Sequence, residues 1–152
     1  MPTSTIVGRT KTRWYLATNE LFDSADGAPF LDWNTLLASI KGGTKHQRSY
    51  LLKSVRGFME ALVEAPRDLR RGEGGSQFVG HLTVLNWYWE VRHLVVWMTQ
   101  RNIWRFSSLT SEDICIFAKD RKRRADGQGE VTPNTYYFRL KMLRELWRLR
   151  SR

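Results

Sequence analysis

Two polar clusters could touch a polyanion: His81, Thr83 and Asn86 in one, and Thr132, Asn134 and Thr135 in the other. Each stands where a run of helical periodicity begins. Backbone N–H groups and short hydroxyls at a helix start bind phosphate, and a side-chain amide can pair bidentately with adenine. Arg139, Lys141 and Arg144, further along the second helix, carry charge that neutralises phosphates or reads guanine. The same residues have ordinary duties, because Thr and Asn at helix starts serve as caps and outer-face cations are normally solvated. Trp87, Trp89, Trp97, Trp104 and Trp147 offer rings that could stack on single-stranded bases. Trp97 and Trp147, however, recur at core spacing. The run Lys119-Asp120-Arg121-Lys122-Arg123-Arg124 is the densest local charge, and at a helix end it also complements the dipole.

Residues for catalysis are missing from this inventory. His46, His81 and His93 have no neighbours at zinc-ligand spacing, and none opens a His-x-x-Arg sequence. No nucleophile elbow, Walker loop or paired-carboxylate motif stands out. Gly72, Gly74 and Gly75 lack the strand and the Gly-Lys-Ser/Thr of a phosphate cradle and read as a linker. Cys115 is the single cysteine, so neither an intramolecular disulfide nor a cysteine-rich zinc site is expected. It reads as a small core residue within a helix. The expectation is a chain with no cofactor, no metal and no small-molecule substrate.

The chain has 152 residues, 41% of them hydrophobic, with seven tryptophans that can build a core. Lys and Arg number 25 against 15 acidic residues, a net charge of +10 that favours nucleic acid first and an anionic membrane surface second. Residues 83–152 hold +7 of that charge and residues 1–82 only +3. No apolar run opens the chain, and the longest, Leu94 to Met98, is far short of the roughly 20 residues that span a bilayer. The chain reads as a soluble, intracellular (cytoplasmic) protein with no membrane partner.

Helices must position these groups. Asp32 is a cap with a Leu31–Leu36 staple, and Gly42 and Gly43 end that helix after Ile40 or Lys41. Thr44 and Gln47 make a capping box for a second helix with Leu51, Val55, Phe58 and Leu62 inward, stopped by Pro66. Lys45, Arg48, Lys53 and Arg56 charge the same helix. Trp14, Tyr15, Leu16, Leu21 and Phe22 are expected to pack, in no assignable element. The glycine-rich stretch near residues 72–80 divides the chain into 1–75 and 80–152. Beyond it, a helix from about Thr83 to Arg101 aligns Val84, Tyr88, Val91, Val95 and Met98, widened by Trp87, Leu94 and Trp97. A second starts at Thr110 with Asp113 as its box partner, runs toward Arg124 and turns Ile114, Phe117 and Ala118 inward. A third has Thr132 as cap and Pro133 at its first position, with Tyr136, Leu140, Leu143 and Trp147 on one face and Lys141, Arg144 and Arg148 on another. Strand-like alternation is nearly absent, so the fold class expected is all-α.

The last 70 residues resemble the core-binding domain of tyrosine recombinases of the phage-integrase type. The resemblance is carried by Thr83 through Arg92 with Leu94 and Trp97, by Leu109-Thr110-Ser111-Glu112-Asp113-Ile114, and by Thr135 through Leu140 with Leu143 and Arg144. It implies a small SAM-like helical bundle over 80–152, preceded by an additional helical N-terminal region of arm-type or other DNA-binding character. It implies double-stranded DNA as partner, with recombinase protomers beside it, and places Thr83, Asn86, Trp87, Asn134, Thr135, Phe138 and Lys141 in the major groove. Phe138 departs from the polar residue usual there. The family's catalytic Arg, Lys, His-x-x-Arg and Tyr are not in this chain and would lie after Arg152; Tyr136 and Tyr137 sit in the binding helix. A stand-alone basic helical DNA- or RNA-binding accessory protein, or a module whose basic face meets an acidic protein, fits the same composition.

Overall fold

The computed structural model describes residues 5–17, 29–64, 80–124 and 126–149. The chain begins with a three-stranded antiparallel sheet of order β1-β2-β3: β1 (Ile6–Arg9), β2 (Arg13–Leu16) and β3 (Phe30–Asp32). Five helices follow among the described residues: α1 (Trp33–Ala38), α2 (Lys45–Val63), α3 (His81–Gln100), α4 (Ser111–Lys122) and α5 (Pro133–Leu149). The all-α expectation is thereby overturned: among the described residues of 1–75, where a helical region was expected, a sheet is followed by two helices. The expected boundary near 72–80 falls largely outside the described residues, as do Leu21, Phe22 and Pro66.

Alternation makes the sheet one-sided. Ile6, Trp14, Leu16 and Leu31 are buried, while Val7 and Phe30 lie on the outer side, Phe30 against Tyr15. The β1–β2 turn closes on Thr10, whose hydroxyl accepts from the Thr12 and Arg13 amides. Helix α2 clamps this hairpin: Arg9 pairs with Glu60 at 2.9 Å, and Arg56 donates to the Lys11 carbonyl at 2.8 Å.

Local chemistry sets the helix starts. Asp32 accepts from the Asn34 and Thr35 amides, and Thr44 with Gln47 and Thr110 with Asp113 form complete capping boxes. Helix α1 stops at Ala38, slightly before the glycines. Arg48 from α2 then covers carbonyls at that end, donating to Leu37, Ile40 and Gly42 at 2.9, 2.7 and 3.1 Å. Gly43 has φ +79° and its missing Cβ would meet the Trp104 ring.

One connected core runs from Ile6 to Leu146. Helix α3 is its axis, with Val84, Tyr88, Val91, Leu94, Val95 and Met98 all buried. The sheet side joins it through Trp33, whose ring meets Tyr88 edge-on at 5.8 Å. The Tyr88 hydroxyl donates to the Asp32 carbonyl at 2.6 Å, and burial pushes its pKa up to about 12. Helix α5 buries Leu143 as its periodicity suggested, but with Met142 and Leu146 beside it, while Tyr136, Leu140 and Trp147 are only half-buried. Cys115, expected in the core, is exposed.

Candidate nucleic-acid interface

The buried face of α3 carries one acid, Glu90, whose side chain is only 6% exposed. An ionised carboxylate so placed needs cations. Two reach it from other helices. Arg121, near the end of α4, binds both its oxygens, donating from Nε and Nη2 at 2.6 and 2.9 Å. Arg139 of α5 approaches the second oxygen at 3.2 Å and also donates to the Arg121 carbonyl. The two guanidinium side chains are 18% and 17% exposed. This ion cluster ties α3, α4 and α5 together and leaves one positive charge in excess.

Above the cluster lies an open cleft of about 490 Å³. Asn86, Trp89, Glu90 and His93 of α3 line one side, Asn134, Thr135, Phe138 and Arg139 of α5 the other, with Arg121 of α4 between. Five of the sequence-derived site residues (Asn86, Asn134, Thr135, Phe138 and Arg139) therefore meet in one place. Asn86 and Asn134 are exposed. Thr132 caps α5, accepting from the Thr135 amide at 3.3 Å and donating to the Thr135 hydroxyl at 3.0 Å. No side chain caps the first turn of α3, where Thr83 is half-buried.

The other positions are placed differently. Trp87, expected at the nucleic acid, is 5% exposed and stacks on Phe138 with planes 12° apart, so it supports the cleft from within. Arg139, expected to neutralise phosphate or read guanine, is held by Glu90. Lys141 lies over the Tyr137 ring at 5.2 Å, beside the cleft, and Arg144 is exposed one turn further along α5. In the charge run Lys119–Arg124, at and beyond the end of α4, Lys122 and Arg124 face Glu130 and Asp126 at 3.8 and 2.9 Å.

Sequence reasoning missed Glu90, Arg121 and His93 as cleft residues and left Trp89 open. Glu90 had a signal, since it interrupts an apolar stripe between Trp87, Val91 and Leu94, where an acid must find cations. His93 is exposed over part of its surface yet partly desolvated. That desolvation, then the Arg121 charge, lowers its pKa below the usual 6.5. An unfolded chain therefore takes up this proton more readily than the native one. Stability is expected to fall as pH drops from about 6.5 through the lowered value, and His93→Gln is expected to flatten that part of the profile. Urea unfolding at a series of pH values checks this, and identical profiles for the two proteins would contradict it.

A larger cleft of about 630 Å³ lies between α2, Phe106 and the end of α5, lined by Ser54, Gly57, Phe58, Ala61 and Leu146 among others. Its surface is mainly apolar, and its polar side chains (Tyr50, Lys53, Ser54 and Ser107) include one cation against the two guanidiniums of the smaller cleft, so size does not make it the better candidate. Among the described residues there is no group of His, Cys, Asp and Glu that could hold a metal ion, and no helix long and apolar enough to cross a membrane. Comparison of the chain with protein-family models, with curated proteins and with solved structures returned no match.

Proposed function

We propose that this chain is the DNA-binding portion of a site-specific tyrosine recombinase, gripping duplex DNA at the recombination site and performing no chemistry by itself. The observation that carries this reading is the convergence of the α3 and α5 polar residues on one cleft, over a floor holding two guanidiniums to one carboxylate. A duplex backbone is the natural complement of such a floor, and the amides stand where base edges would arrive. Lys141 and Arg144, on the α5 flank, extend the positive surface along the phosphates. The motif resemblance over 83–144 adds the family, and with it DNA integration and recombination as the setting. Other protomers on the same DNA are partners in that setting.

Removing the flanking charges tests the reading. Lys141→Gln with Arg144→Gln is expected to weaken binding to a duplex about tenfold and to lower the slope of log affinity against log salt by about 2, roughly 0.9 per lost phosphate contact. Fluorescence anisotropy across a salt series reads both quantities. Unchanged affinity and slope would remove this face from the interface.

A further inference from the structure

If the cleft is a duplex-binding surface, as proposed above, its lining also selects among base pairs. We infer that the cleft reads A·T pairs in the major groove, with Asn86 and Asn134 each addressing an adenine and Trp89 with Phe138 addressing thymine methyls.

What each side chain has left to offer decides which base edge it can read. Guanine presents two acceptors, N7 and O6, and is read by an unoccupied guanidinium or ammonium. The cleft's two guanidiniums are occupied: Arg121 is bidentate to Glu90, and Arg139 is divided between Glu90 and a backbone carbonyl. Arg92, next to Trp89, donates through Nε to the Ser39 hydroxyl at 2.6 Å and lies over the Trp89 ring. These cations supply field toward phosphate and leave no guanidinium fork in the cleft for a guanine edge, and the Lys141 ammonium lies over the Tyr137 ring and is not among the cleft's lining. Adenine presents an acceptor at N7 beside a donor at N6, which matches the paired donor and acceptor of an amide. Asn86 and Asn134 both line the cleft, are exposed, and carry that pair of groups.

The apolar part of the lining points the same way. Trp89 is 46% exposed, a large ring surface left open at the cleft wall. Phe138 is half-buried on the opposite wall, backed by Trp87. A methyl group against such rings is favourable by burial, and in the major groove only thymine offers one. This also accounts for an aromatic residue at position 138, where a polar one would be expected for base contact.

Three 20-base-pair probes separate the parts: duplexes of alternating dA·dT, alternating dG·dC, and alternating dA·dU, which lacks only the methyl. Wild-type protein is expected to bind dA·dT about tenfold tighter than dG·dC, and about threefold tighter than dA·dU. Trp89→Ala is expected to erase the dA·dT over dA·dU difference while keeping thermal unfolding close to wild type, because nearly half of this residue is exposed and it is not part of the buried core. Asn86→Ala with Asn134→Ala is expected to shrink the dA·dT over dG·dC ratio and to leave dG·dC affinity nearly unchanged. Equal binding of all three duplexes would overturn the inference and leave the duplex-binding reading standing. A thymine preference that survives Trp89→Ala would also overturn it. Failure to bind any duplex would instead remove the reading on which it rests.

Discussion

Glu90→Ala is expected to cost about 3–5 kcal/mol of stability, because it strands two guanidiniums in a largely buried site. Arg121 and Arg139 would lose the one carboxylate they share, and no other described acid lines the cleft. Denaturant unfolding measures the loss, and a change below about 0.5 kcal/mol, the range of an ordinary surface substitution, would show that the cluster contributes nothing. A companion variant separates packing from charge. Replacing all three residues, Glu90→Leu with Arg121→Met and Arg139→Leu, is expected to recover most of the stability, since buried ion clusters are often no better than apolar packing. Duplex affinity should fall below wild type in that variant, because the cationic floor is gone. Recovery of both stability and affinity would mean the floor plays no part in binding.

Gly43→Ala is expected to destabilise by about 2–5 kcal/mol, combining a left-handed backbone with overpacking. A Cβ at this position would sit less than 3.0 Å from Cη2, Cζ2 and Cζ3 of Trp104, whose indole N–H is held by Asn102 at 2.9 Å. Gly42→Ala is the internal control. It has nearly the same φ, +77°, but nothing within 4 Å of its Cβ, so about 1–2 kcal/mol is expected from backbone strain alone. Thermal or denaturant unfolding of the two variants isolates the Trp104 contribution. Equal losses would show that the ring moves aside freely.

Much of the helical frame was legible because its signals are local. Thr44 with Gln47, Thr110 with Asp113, and Thr132 before Pro133 each satisfy their own backbone, so a few residues define a helix start wherever it packs. The apolar stripe of α3 was legible for a related reason, being long enough to show its period. The sheet was not. Its strands are three or four residues long, β1 is irregular between Ile6 and Gly8, and β3 pairs with β2 across a long separation in sequence. Trp14 and Leu16 on one face were the only alternation to find.

The candidate site divides in the same way. Asn86, Asn134 and Thr135 were found from positions at helix starts, and Phe138 was implied by the family resemblance. Glu90 with its two arginines depends on three helices meeting, which no local window contains. That meeting also explains the face of α5. Once Arg139 is drawn to Glu90, the positions three, four and seven residues on (Met142, Leu143 and Leu146) turn inward, in place of Leu140 and Trp147.

The most direct test of the central claim is to titrate a DNA duplex into the ¹⁵N-labelled protein and follow backbone amides and the tryptophan indole signals. The account expects saturable shifts at Asn86, Asn134, Thr135 and Lys141 and at the Trp89 indole, fading as salt is raised. Shifts confined to the apolar cleft around Gly57, Phe106 and Leu146, or none at any salt concentration, would contradict it.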